Sequence, residues 1–150
     1  MQRSSRRLGL VFQVLVLLIS TALSAPLLGH ERTLYERLGG YDAIAAVTDD
    51  FIGRLLADPE MEPFFIGAGT DTRNRIRQHV VDLICQTTGG PCIYLGRDMK
   101  TSHAGLGITE AQWDRAVHHL VATLDKLKVP DAEKNELLAL VSTLKADIVE

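Results

Sequence analysis

A chain of 150 residues, 46% hydrophobic and 23% charged, has room for one domain and the make-up of a globular protein, which excludes a disordered or collagen-like polymer. Its formal net charge is −3, and the only charged side chains in the first thirty residues are Arg3, Arg6 and Arg7, so the remainder is more acidic still. No basic patch is left to read nucleic acid, and nucleic-acid binding is not expected.

Met1 to Gly9 is basic, Leu8 to Ala22 is almost unbroken apolar sequence, and small residues follow at Ala22, Ser24 and Ala25. That order describes a secretory signal peptide, with cleavage expected after Ser24. The apolar run is short against the ~20 residues of a membrane-spanning helix, which favours cleavage. Residues 1–24 are therefore read as a signal peptide, or as an N-terminal anchor if retained, and residues 25–150 as one domain. The expected location is outside the cytoplasmic membrane, periplasmic or extracellular, with membrane contact only if the segment stays uncleaved.

From Glu31 onward nothing alternates with period two for long enough to suggest a sheet, and the expected fold class is all-α. A short helix around Thr33 to Leu38 leads to Gly39-Gly40. Tyr41 to Leu56 places Ile44, Val47, Phe51 and Leu55 on one face and ends at Asp58-Pro59. A break at Phe64 to Gly69 precedes a helix from about Asp71 to Thr88, with Thr70 and Thr72 as cap candidates. Ile76, Val80, Leu83, Ile84 and Thr87 form its apolar stripe, and Gly89-Gly90-Pro91 stops it. Gly89 to Ala104 reads as irregular. Thr109 with Gln112 forms a capping-box pattern before Trp113, Ala116, Val117, Leu120, Leu124 and Leu127. After Pro130 a fourth long helix, with Asp131 near its cap, aligns Leu137, Leu140, Val141, Leu144 and Ile148. Two antiparallel helix pairs result, with an irregular insert between the second and third helices. Bundles of this kind place cofactors between facing helices.

Cys85 and Cys92 are the only cysteines, seven apart around a Gly-Gly-Pro turn that could bring them within disulfide distance. In an exported protein they are a disulfide candidate, and two ordinary buried thiols are the alternative. Of the five histidines, His30 reads as solvated, and the adjacent His118 and His119 read as structural because they point in different directions. His103 differs in context. It sits between helices with Met99 one turn before it and Gly105 and Gly107 behind. Neutral imidazole is a good ligand for porphyrin iron, against which Met99, Leu106 and Ile108 would offer an apolar surface and Lys100 a cation for a propionate. A lone histidine in a loop is more often no ligand at all, so this reading stays open on the residues alone.

The ordered series Leu34-Tyr35-Glu36-Arg37-Leu38-Gly39-Gly40, Asp50-Phe51, Leu56-Ala57-Asp58-Pro59, Phe64-Phe65, Gly89-Gly90-Pro91, Tyr94-x-Gly96, Met99-Lys100-x-x-His103 and Gly107-Ile108-Thr109 resembles the group 1 truncated haemoglobins. The similarity runs from about Thr33 to Val149. It implies a truncated globin, a two-over-two helical sandwich around haem b, with His103 as the proximal iron ligand. Phe65 matches the haem-stacking phenylalanine, Phe51 a pocket aromatic, Ile84 an apolar haem contact and Met99 the proximal methionine.

The departures lie on the distal side. Ile52 stands where the family usually has tyrosine, and Ile76 and Val80 occupy positions that commonly hold glutamine or another polar group. The resemblance therefore implies a pocket without its usual hydrogen-bond donors. His79 matches a position from which some family members bind iron, so it is a possible distal ligand; an edge residue near a propionate is the other reading. The implied function is reversible binding of a diatomic gas ligand (O2, CO or NO), for oxygen binding, transport or sensing. The alternatives are NO-detoxifying dioxygenase or peroxidase-like activity, electron transfer through a bis-histidyl haem, and a cofactor-free helical interaction module. A reductase is a possible partner.

Overall fold

The computed structural model describes residues 31–150, and every regular element among them is helical. The expected signal or anchor segment and His30 lie outside the described residues. Among the described residues, no helix is long and apolar enough to cross a membrane.

Helix α1 (Leu34–Arg37) opens with a capping box: Thr33 Oγ1 accepts from Glu36 N, and the Glu36 carboxylate accepts from Thr33 N at 2.9 Å. Gly39, at φ 98°, turns the chain into α2 (Gly40–Ala57). A 3-10 helix (Glu62–Phe65), with proline in its first turn, occupies part of the expected break and leads to α3 (Thr70–Thr87). There the N-cap is Gly69, and neither Thr70 nor Thr72 takes the capping role expected of it. Helix α4 (Met99–His103) replaces what the sequence suggested was irregular chain. Its cause is local: the Asp98 carboxylate accepts from Thr101 N at 2.7 Å and starts a helical turn.

The Thr109–Gln112 box opens α5 (Glu110–Lys126) as expected. The last long helix is shorter than its periodicity suggested. It ends as α6 (Asp131–Ser142), and α7 (Lys145–Ile148) follows a break, so Leu144 and Ile148 do not extend the face of Leu137. Ser142 Oγ and Thr143 Oγ1 donate to the carbonyls of Leu138 and Leu140, both at 2.7 Å, and hydroxyls that take backbone acceptors compete with helix continuation.

Helix α2 packs on α3 and on α5, while α1 reaches α2 and α6, and α5 meets α6. The pairs α2/α3 and α5/α6 make the two-over-two arrangement. Leu34, Val47, Leu120, Leu124 and Leu137 form the larger core cluster, and Ile44, Val81 and Cys85 a second. Two carboxylates lock the seam between α2 and α5. Asp50 accepts from Lys126, from Arg54 Nε at 2.7 Å and from Thr123 Oγ1 at 2.8 Å. Asp58 accepts from Arg115 Nε and His119 Nε2, each at 2.5 Å, and from Glu60 N at 2.9 Å. Lys126 above all holds the Asp50 carboxyl well below the usual range, and Arg115 does the same for Asp58. His119 thus has the structural role expected of it.

Leu124 is fully buried at the centre of the larger cluster. Leu124→Ala should cost about 3 kcal/mol of unfolding free energy in chemical denaturation. A loss below ~1 kcal/mol would show that the interior around it collapses without penalty.

Candidate functional site

Helix α3 has two apolar stripes of different fate. Val81, Cys85 and Thr88 are buried, and Val81 and Cys85 pack with Ile44 of α2. About 100° around the helix, at one residue's offset, Ile76, His79, Val80 and Leu83 are only half-buried. Val81 and Cys85 therefore enter the core, while Ile76, Val80 and Leu83 of the expected apolar stripe are only half-buried. Ile84 packs into both core clusters.

Helix α3 packs on α2 and makes no extensive contact with α4. The chain between them is tied back to α3 instead. Cys85 and Cys92 form a disulfide, with Cα atoms 5.7 Å apart. Gly90 N donates to the Cys85 carbonyl at 2.8 Å. A Cβ on Gly90 would lie 2.5 Å from Tyr35 Cδ2 and 2.7 Å from Cys85 Sγ, so close approach demands glycine. Tyr94 N then donates to Gln86 Oε1 at 2.6 Å, and its hydroxyl to the Arg97 carbonyl at 2.5 Å.

So held, the Tyr94 ring meets His79 edge to face, centroids 5.9 Å apart at 78°. His79 Nδ1 is buried and, among the described residues, has no hydrogen-bond partner. An orphaned buried nitrogen beside an open apolar face is a feature that ordinary packing avoids.

On α4, Met99 and His103 share one face and are half-buried, whereas Lys100, Thr101 and Ser102 are exposed. His103 therefore sits at the end of a helix and not on the turn the sequence suggested. Its Nδ1 is 2.8 Å from the Met99 carbonyl. A carbonyl only accepts, so Nδ1 donates; in the neutral ring Nε2 then keeps its lone pair, the form in which imidazole binds a metal. Among the described residues, no group of three or more His, Cys, Asp or Glu side chains could hold a metal ion. A metal bound at His103 would need its remaining ligands from a cofactor, and the donor chemistry fits haem.

The other expected contacts differ in their burial. Phe51 is half-buried on α2 and packs against the larger core cluster, with Ile52 half-buried beside it. Phe65 closes the 3-10 helix and is half-buried. Behind His103, Leu106 is 42% exposed and Ile108 only 8%. A separate apolar cavity of about 220 Å³ lies among Leu38, Ile44, Val47, Ile84 and Leu137; its lining includes no residue of α4 and no metal-binding group.

The sequence reading missed two residues of this site. Asp98 was readable as a cap from its spacing to Thr101. Tyr94 was seen only as a motif position, and its contact with His79 has no local signature.

The profile of the bacterial-like globin family matches residues 33–150. Group 1 truncated hemoglobin GlbN of Mycolicibacterium paratuberculosis is 33% identical over 116 residues, 77% of this chain and 83% of that protein. Among solved structures, the Fe(III) form of truncated hemoglobin from Tetrahymena pyriformis superposes with a TM-score of 0.71 at 31% identity, covering 79% of this chain and 98% of that one. The 2/2 hemoglobin of Synechococcus sp. PCC 7002, solved in the cyanomet state with covalently attached heme, gives 0.72 at 28% identity over 79% and 98%.

The bridge closes a short loop, a separation of seven residues. Cys92→Ser should therefore destabilise the fold by less than the ~3 kcal/mol of a 15-residue loop. Iodoacetamide should alkylate no thiol in denatured, non-reduced wild-type protein; two modified cysteines would show the bridge to be absent.

Proposed function

The chain belongs to the bacterial-like globin family, as a group 1 truncated haemoglobin, and on that premise we propose that it holds haem b through His103 and binds a diatomic gas (O2, CO or NO) reversibly. The observation that carries this reading is the Nδ1 bond of His103 to Met99, which leaves Nε2 free to bind iron. When bound, haem would supply an iron centre able to take a small gaseous ligand. The protein supplies the surroundings. Met99, Leu106 and Ile108 offer apolar contact on the His103 side, and Ile76 and Val80 do so on α3. Phe51 and Phe65 add aromatic surface, and exposed Lys100 is a cation for a propionate. Ile52, Ile76 and Val80 have no side-chain donor to offer a ligand. O2 gains from such a donor and CO much less, so O2 is the ligand that loses most here. An oxygen-binding, transport or sensing role outside the cytoplasmic membrane is the setting that the basic and apolar segment at residues 1–24 supports.

Changing His103 to alanine should abolish stable haem retention and leave most helix content in place. Haem stoichiometry and circular dichroism check this, and normal stoichiometry with an unaltered iron spectrum would sink the assignment.

The buried Nδ1 of His79, without a hydrogen-bond partner among the described residues, supports a second reading, in which this imidazole would also bind the iron and the protein would transfer electrons. Under the leading reading, ferrous wild type and His79→Leu are both five-coordinate and high-spin, with equal CO association rates. A low-spin six-coordinate spectrum confined to the wild type, with CO binding slowed by imidazole release, would establish the second reading.

A further inference from the structure

The loop that leaves His103 is held by a carboxylate from the far end of the domain. Gly105 N donates to Glu150 Oε1 at 2.8 Å and Gly107 N to Oε2 at 2.7 Å, while Glu150 N donates to the Ile108 carbonyl at 2.9 Å. Between the two glycines, Leu106 N donates to the carbonyl of His103 at 3.1 Å. Gly105 and Gly107 have φ values of 80° and 63°, and among the described residues nothing lies within 4 Å of a Cβ built on either. Conformation, not crowding, is what these glycines supply: with left-handed backbone at both positions, both amides meet one carboxylate. The two amide bonds hold the Glu150 carboxyl below its usual range.

Helix α4 needs an anchor of this kind. It has five residues, too few to persist by its own hydrogen bonds. Asp98 secures its start, and α7 packs against it. Its end passes directly into the loop that Glu150 ties down.

We propose that Glu150 is a positioning residue for His103: by fixing the amides of Gly105 and Gly107 it sets the backbone from which the imidazole presents Nε2. This rests on His103 being the iron ligand, and the charge on Glu150 acts only through the loop. A bidentate, charge-assisted pair of hydrogen bonds restrains both the direction and the distance of the chain it holds.

The test compares full-length wild type with Glu150→Ala and Glu150→Gln. In haem-free protein, amide exchange at Gly105 and Gly107 and exchange of the His103 Nδ1 proton should each accelerate in Glu150→Ala, by about tenfold. In haem-loaded protein, transfer of haem to an excess of acceptor apoglobin should also accelerate by about tenfold, and the iron–histidine stretching band of the ferrous form should shift or broaden. Glu150→Gln, which keeps size and one acceptor oxygen but loses charge, should change in the same direction by less. Exchange rates and an iron–histidine band identical to wild type in both variants would overturn the proposal. Inability of wild-type protein to bind haem would instead refute the reading of His103, and the haem-free exchange data would still decide whether Glu150 holds that residue.

Discussion

The hydrogen bond from His103 Nδ1 to the Met99 carbonyl links the fold to its chemistry, because it decides which imidazole nitrogen is left to bind a metal. It exists only if residues 99 and 103 are one helical turn apart. With His103 as the proposed iron ligand, helix α4 would be part of the site and not a connector between longer elements. So short a helix depends on what surrounds it. The Asp98 cap starts the turn, Ser102 Oγ donates to the Asp98 carbonyl at 2.7 Å, and Glu150 holds the loop beyond. The imidazole is oriented by an arrangement in which each part is weak alone.

The half-buried face of α3 is built on another principle. Helix α3 is firmly seated on α2 through Val81 and Cys85, so its adjoining stripe of Ile76, Val80 and Leu83 is presented by a rigid support. The disulfide and the Gly90 contact bring the following chain back along the end of this helix, which puts Tyr94 against His79. The result is an apolar face with one imidazole at its border. Selectivity among small ligands would then come mostly from the absence of donors, since an apolar wall penalises ligands that need a hydrogen bond and spares those that do not.

Rigidity and openness are separated across the molecule. The α2–α5 seam holds the larger core cluster, the buried carboxylate of Asp58 and the half-buried carboxylate of Asp50, each satisfied by several donors. None of the residues with an open apolar side belongs to that seam's buried set. A half-buried face costs stability, and a domain of this size can carry one because its core lies elsewhere.

Features set by neighbouring residues were legible in the sequence. The Thr109–Gln112 box, the glycine stop after Thr88, the helical spacing of Ile44, Val47, Phe51 and Leu55, and the series ending in Met99-Lys100-x-x-His103 all depend on local chemistry or on an ordered motif, and they pointed to an all-α truncated globin. Even α4 was within reach, since Asp98 and Thr101 are three residues apart. Tertiary structure decided the rest, where the outcome depended on a distant partner. Periodicity could not say which of two adjacent apolar stripes on α3 would meet α2, because a shift of one residue changes only which side chains find a neighbour. Nor could it show that α6 would stop at Ser142, since the apolar spacing continues past a break made by hydroxyl groups. The meeting of Tyr94 with His79, and of Glu150 with Gly105 and Gly107, leaves no trace in local sequence. These contacts form only once the helices have packed and brought distant backbone donors and rings together.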